Sequence, residues 1–225
     1  MEITWFGHAN FRIKTGDTTI LIDPFFVGNP ASLTTYQEIE ECDLILVTHD
    51  HTDHVGQTLE LAIKHDAEVI TIFDSIQSLI SMGLPEHLGV PMNIGGTVSR
   101  QGISVKMVQA MHSTVTGAAA GFILTLPDGT CIYNSGDTGL FGDMELFGQF
   151  HDIDIAMLPI GGRFTMDAQQ AAYACKLLKC KKVIPQHWGT WSILGQNTES
   201  MAEQLTLLAP DTEMIGLEVD EPTEI

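Results

Sequence analysis

Cations are scarce in this chain. Ten Lys and Arg stand against 29 Asp and Glu, a formal charge of −19 over 225 residues. A field of that sign repels nucleic-acid phosphates and anionic membrane surfaces, so no nucleic-acid or membrane partner is expected. Cysteine is scarce too. Cys42, Cys131, Cys175 and Cys180 form no Cys-x-x-Cys pair, which argues against a zinc ribbon or a disulfide framework and leaves them as small buried residues. Long apolar runs are missing: no stretch approaches the roughly 20 residues of a membrane span, and Met1 is followed by Glu2 rather than by a basic segment and an apolar run. A cytoplasmic protein is expected. Sequence repeats and low-complexity tracts are absent as well, which removes solenoids and linkers.

What remains is a globular composition. Charged residues are 17% of the chain and apolar ones 44%, a balance that excludes disorder. A chain of this length buries roughly 70% of its unfolded surface, so one domain spanning residues 1–225 is expected. Strand patterns run over Ile3 to Phe6, Thr19 to Ile22, Ala67 to Phe73, Ser104 to Ala110, Phe122 to Leu126, Thr130 to Asn134 and Lys182 to Pro185. Pro127-Asp128-Gly129 is a turn between two of them. Two further apolar runs, 43–48 and 154–159, each lead through a polar loop into a helical pattern. The second helix carries Ala171, Ala174, Cys175 and Leu178 on one face, is capped by Thr165 or Asp167, and ends among Lys179, Lys181 and Lys182. Many strands with few helices between them suggest two sheets with helices outside. Beyond Lys182 no Lys or Arg occurs while eight acids follow, read as a solvated face.

The chemistry is concentrated in Thr48-His49-Asp50-His51-Thr52-Asp53-His54, three histidines and two aspartates directly after a buried strand. Imidazole and carboxylate are the nitrogen and oxygen donors that borderline divalent metals accept. His49 and His51 can turn to one point while Asp53 and His54 reach a second, a spacing that suits two metals better than one.

His49-x-His51-x-Asp53-His54 resembles the HxHxDH signature of the metallo-β-lactamase fold superfamily, and the resemblance runs nearly end to end. Leu21-Ile22-Asp23-Pro24, Ala110-Met111-His112-Ser113, Asn134-Ser135-Gly136-Asp137-Thr138 and Pro185-Gln186-His187-Trp188-Gly189-Thr190 are similar to its other motifs, in order. Trp5-Phe6-Gly7-His8-Ala9 and the segment 159–167 look like the small single-domain branch that includes ascorbate phosphate lactonase. Taken singly, His112 and His187 are ordinary histidines and Asp137 an ordinary turn residue; the ordered motifs change that reading.

The resemblance implies a four-layer αββα sandwich. It also implies that His49, His51 and His112 hold one metal, that Asp53, His54 and His187 hold another, and that Asp137 bridges. Asp23 then orients a ligand histidine from behind, and Asp50 is loop structure. His8 falls beside the metals as a proton donor or substrate orienter, so Asp53 and His8 are the candidate catalytic side chains. Arg163 is the candidate fork for a carboxylate or phosphate of the substrate. His65, His87 and His151 join no motif. Trp188 and Trp191 are packing or pocket wall.

Two divalent ions, zinc or manganese ahead of iron or nickel, would share a water, lower its pKa towards about 7 and present hydroxide to a carbonyl or phosphoryl centre. The expected activity is hydrolysis of an ester, lactone or phosphodiester of a small substrate, including an anionic one. Oligomeric state is left open, homo-oligomers included. A rival reading is a metal- or ligand-sensing protein on the same fold that performs no turnover. Another is oxygen or nitric oxide reduction at two irons, disfavoured because no flavin-binding pattern follows.

Overall fold

The computed structural model describes residues 1–225, folded around two seven-stranded sheets. In the first, β1 (Glu2–Trp5), β2 (Phe11–Thr15) and β3 (Thr18–Ile22) form an antiparallel meander. Beyond β3, β4 (Leu44–Leu46), β5 (Glu68–Ile72) and β6 (Gly89–Met92) continue in parallel. The second mirrors this plan. Strands β7 (Thr97–Arg100), β8 (Ile103–Gln109), β9 (Ala120–Thr125) and β10 (Cys131–Asn134) are antiparallel, and β11 (Ile155–Pro159), β12 (Lys182–Gln186) and β13 (Glu213–Met214) follow in parallel. A final strand, β14 (Thr223–Glu224), returns the chain to the first sheet beside β1.

The pattern of burial explains these elements. β4 is Leu-Ile-Leu, buried at every position because parallel neighbours flank it and both of its faces are covered. β2 alternates, with Phe11 and Ile13 inward and Arg12 and Lys14 outward. Pro185 lies inside β12 without cost to the ladder, since β13 pairs only with Lys182 and Val183 and leaves that edge free further along.

The helices are α1 (Thr52–Val55), α2 (Thr58–His65), α3 (Phe73–Ser81), α4 (Met144–Phe150), α5 (Ala168–Leu178) and α6 (Glu199–Leu208). Three apolar clusters define the layers. Ile3, Phe11, Leu44, Ile103, Phe122 and Met157 belong to the cluster between the sheets. Leu21, Ile45 and Val69 meet Leu61, Ile76 and Leu79 of α2 and α3. Tyr133, Ala156 and Val183 meet Met144, Ala171, Cys175 and Met201 of the other helices. This is the expected four-layer αββα sandwich, and all four cysteines are buried as free thiols. No helix is long and apolar enough to cross a membrane.

Two local expectations are sharpened. Asp167 rather than Thr165 caps α5, its carboxylate accepting from the Gln170 amide at 2.8 Å, and Lys179 ends the helix in a left-handed conformation. The expected strand over Ala67 to Phe73 stops at Ile72, where Phe73 opens α3.

The topology gathers functional loops at one rim, outside the carboxyl ends of β1, β3, β4, β10 and β12. Two main-chain bonds tie the sheets together there. The Ala120 amide donates to the Thr48 carbonyl, and the His187 amide to the His8 carbonyl, both at 3.0 Å. Gly136 fits the same rim only without a side chain: its φ is +57°, and a Cβ would lie 2.8 Å from the Ala120 carbonyl oxygen and 2.8 Å from the Thr48 Cβ. Gly16 has a similar φ of +56° in open space. The comparison isolates the close approach from the backbone preference. Gly16→Ala should cost about 1 kcal/mol, and Gly136→Ala about 3 kcal/mol or more, when each is measured by denaturant unfolding. Equal losses would refute the packing argument.

Candidate metal centre

A carboxylate with no access to solvent organises the centre from behind. Asp23 follows β3, is fully buried, and takes a φ of +46°. Its Oδ1 accepts the Thr48 amide at 2.8 Å, and its Oδ2 accepts both the Thr48 hydroxyl and His54 Nδ1 at 2.7 Å. A carboxylate only accepts, so His54 carries its proton on Nδ1 and turns Nε2 the other way. The Thr48 hydroxyl has given its one proton to Asp23, so at 3.0 Å its oxygen accepts from His49 Nδ1. That fixes the second ring, again with Nε2 outward.

These nitrogens face further ligands. His49 Nε2 lies 2.9 Å from His51 Nδ1, and His112 completes a group of three imidazoles. His8, Asp53, His54 and His187 form a second group, and His49, His54 and Asp137 a third that joins the two. Within each group the donor atoms lie no more than 4.8 Å apart. Asp137 Oδ2 sits 2.9 Å from His187 Nε2, 3.4 Å from His54 Nε2 and 3.7 Å from His112 Nε2. All seven side chains expected as ligands are therefore at one place, drawn from four separate parts of the chain.

The donor set fits divalent metal. Imidazoles at this density do not satisfy one another fully: His54 Nε2 and Asp137 Oδ1 are buried without a hydrogen bond. The electrostatics agree. Burial, reinforced by the neighbouring His54, drives the His49 imidazole down to about 2, which keeps the ring neutral; with its proton on Nδ1, Nε2 is an acceptor. Burial also lowers His112. At His54 the burial penalty is outweighed by Asp137 and Asp23, which push it well above the ordinary histidine value. Burial alone would raise Asp137, but His54 and His187 hold it well below the carboxylate range. Positive charge is thus demanded at the point where His54 and Asp137 meet. All the donors are nitrogen and oxygen, which suits zinc, manganese, iron or nickel rather than a thiolate-loving ion.

His8 is fully buried at a φ of +57°. Its Nε2 lies 3.2 Å from Asp53 Oδ2 and its Nδ1 2.9 Å from Thr190 Oγ1. Since Asp53 can only accept, Nε2 carries the proton and the Thr190 hydroxyl donates to Nδ1. Burial lowers His8 to about 4, which keeps this ring neutral. For Asp53, burial would raise the carboxyl, but the bond from His8 and the charge of His54 hold it below its usual range.

Around this centre opens a cavity of about 170 Å³. His51, Asp53, His112, Asp137 and His187 face it on one side, with Ser113, Phe164 and Trp191 as the rest of its wall. Arg163 is exposed and not part of that wall; its guanidinium packs 5.8 Å from the Phe164 ring centre. Asp50 accepts from Thr114, Val115 and Thr116, so it shapes the loop that carries His112. Trp188 packs on Trp5 at 5.0 Å, while Trp191 edges onto His8 at 4.9 Å. His65, His87 and His151 belong to none of the three donor groups. Sequence reasoning missed Thr48, Thr190 and Phe164. Thr48 alone carried a signal, being the hydroxyl between a buried strand and the first ligand.

Known proteins are similar to this chain over nearly its whole length. A family model described as a beta-lactamase superfamily domain matches residues 2–187. A UPF0173 metal-dependent hydrolase of Nitratidesulfovibrio vulgaris is 48% identical over 219 residues, covering 96% of this chain and 92% of that protein. Another, from Pyrobaculum islandicum, is 41% identical over 212 residues and covers 93% of each chain. Among solved structures, the metallo hydrolase Igni18 of Ignicoccus hospitalis superposes with a TM-score of 0.90 at 31% identity, over 100% of this chain and 98% of its own. With its motifs, fold and donor cluster all in agreement, the chain belongs to the beta-lactamase superfamily, among its metal-dependent hydrolases.

Proposed function

We propose that the protein hydrolyses an ester, lactone or phosphodiester bond of a small molecule in the cytoplasm, using two divalent metal ions, zinc or manganese, and no nucleic-acid or membrane partner. One observation carries this reading: a group of three imidazoles and a group of His and Asp meet at a single shared carboxylate, Asp137. His49, His51 and His112 would hold one ion and Asp53, His54 and His187 the other. The pair would supply a water acidified towards neutral pH and a Lewis acid for the substrate's carbonyl or phosphoryl oxygen.

The chain's own residues supply orientation. Asp23 holds His54 directly and His49 through Thr48, so two ligand nitrogens are aimed before any ion arrives. His8 does the same for Asp53, donating Nε2–H to its Oδ2 while Thr190 fixes the ring from behind. This makes His8 a positioning residue for Asp53, not a proton donor to substrate. Phe164 and Trp191 wall the cavity and limit the water around the reacting bond.

Two outcomes test this. Asp53→Ala and His187→Ala should each lower the metal content towards one ion per chain and abolish hydrolysis, whereas His65→Ala should leave both unchanged; elemental analysis and a broad ester, lactone and phosphodiester panel decide. Loss of one outward-facing donor to Asp53 should weaken metal affinity at that site about 10- to 100-fold in His8→Phe, by competition with a chelator. His8→Gln, which keeps an N–H donor, should lose less. Unchanged affinity in His8→Phe would remove the positioning role.

A further inference from the structure

The cavity beside the donor cluster lacks something that sites for anionic substrates possess. Its wall is made of the cluster's own imidazoles and carboxylates, one serine and two aromatic rings, with no Lys or Arg. The neighbouring guanidinium, Arg163, stands exposed against Phe164 instead of facing the cavity. Asp53 contributes a carboxylate that is still 27% exposed at the opening. The chain as a whole carries −19.

The apolar part of the wall is held in place. Trp191 is braced by His8 at 4.9 Å and Phe25 at 6.3 Å, and its carbonyl accepts from the Leu194 amide and the Gln196 side chain. Phe164 lines the cavity while 58% exposed. A carboxylate or phosphate placed against these rings would lose water and meet no Lys or Arg, whereas an alkyl or aryl group would be stabilised by the same surface. The volume, about 170 Å³, equals roughly six waters of liquid and lies below the usual range for whole drug-sized ligands.

Building on the hydrolase reading, we propose that the substrate is a small uncharged acyl compound, an ester or lactone. Its apolar alkyl or aryl group lies against Phe164 and Trp191. In place of the Arg163 fork for a carboxylate or phosphate, which the sequence allowed, the site has this neutral, aromatic-walled subsite.

Two pairs of compounds that differ by one carboxylate test it with the metal-loaded protein. 4-Nitrophenyl valerate and mono-4-nitrophenyl glutarate share a leaving group and a scissile bond; the valerate should be hydrolysed with about tenfold higher kcat/KM or more, the difference lying mainly in KM. Valeranilide and glutaranilic acid, amides chosen to resist turnover, report binding alone through quenching of tryptophan fluorescence, and the neutral anilide should bind tighter by a similar factor. Phe164→Ala, at an exposed position where folding is not at stake, should raise KM for the valerate several-fold with metal content unchanged. Trp191→Ala should do the same and remove most of the quenching. Should neither ester be cleaved while the neutral anilide still binds in a Trp191-dependent way, ester hydrolysis falls and the neutral subsite stands. Equal or tighter binding of glutaranilic acid, faster cleavage of the glutarate, or no binding of either anilide overturns the subsite.

Discussion

The buried carboxylate of Asp23 is the constraint on which the rest of the centre depends. A carboxylate taken out of water costs several kcal/mol unless it is fully hydrogen-bonded, and this one meets that requirement by accepting from Thr48 twice and from His54 once. Its solution is also an instruction. Satisfying Asp23 ties the end of β3 to the end of β4, fixes the tautomer of His54, and through the Thr48 hydroxyl fixes that of His49. Geometry that a metal site needs is thus set by the hydrogen-bonding needs of one residue that touches no metal.

The same logic extends across the two sheets. Each half of the molecule runs from an antiparallel meander into parallel strands, and its loops emerge at the same rim. Neither half holds a complete donor set, since His112, Asp137 and His187 come from the second sheet and the others from the first. The residues at the junction adopt costly conformations: His8, Asp23 and His187 all have positive φ without being glycine. Strain of that kind, of order 1–3 kcal/mol per residue, persists only where surrounding contacts over-determine it. Here the His187 amide bonded to the His8 carbonyl supplies such a contact and at the same time couples the two sheets.

Much of this was legible in the sequence, and unevenly so. The dense segment 48–54 announced donors because few structural needs would place three histidines and two aspartates there. The layers were legible from apolar runs such as Asp43 to Thr48, whose continuous burial from Leu44 on reflects parallel neighbours. What stayed hidden was fixed by distance in space. Thr190 and His8 are 182 positions apart in sequence yet share a hydrogen bond, and no local pattern encodes that. Phe164 lay beside the more conspicuous Arg163, and only packing reveals which of the two faces the cavity. Five strands, β2, β6, β7, β13 and β14, were missed, two of them for another reason: Phe11–Thr15 is a short alternating run with two cations, and Thr97–Arg100 has no fully buried residue.

Charge closes the argument, because its distribution is coherent with a neutral substrate. The excess of 29 acids over ten Lys and Arg gives the chain its sign, while the centre demands positive charge between His54 and Asp137. A neutral ester diffuses through such a field without penalty. Hydrolysis of such an ester at near-neutral pH would release a carboxylate into a field of its own sign. The feature that disfavours anions on entry would therefore favour their departure as product, and an enzyme whose turnover is limited by release gains from a surface that repels what it makes.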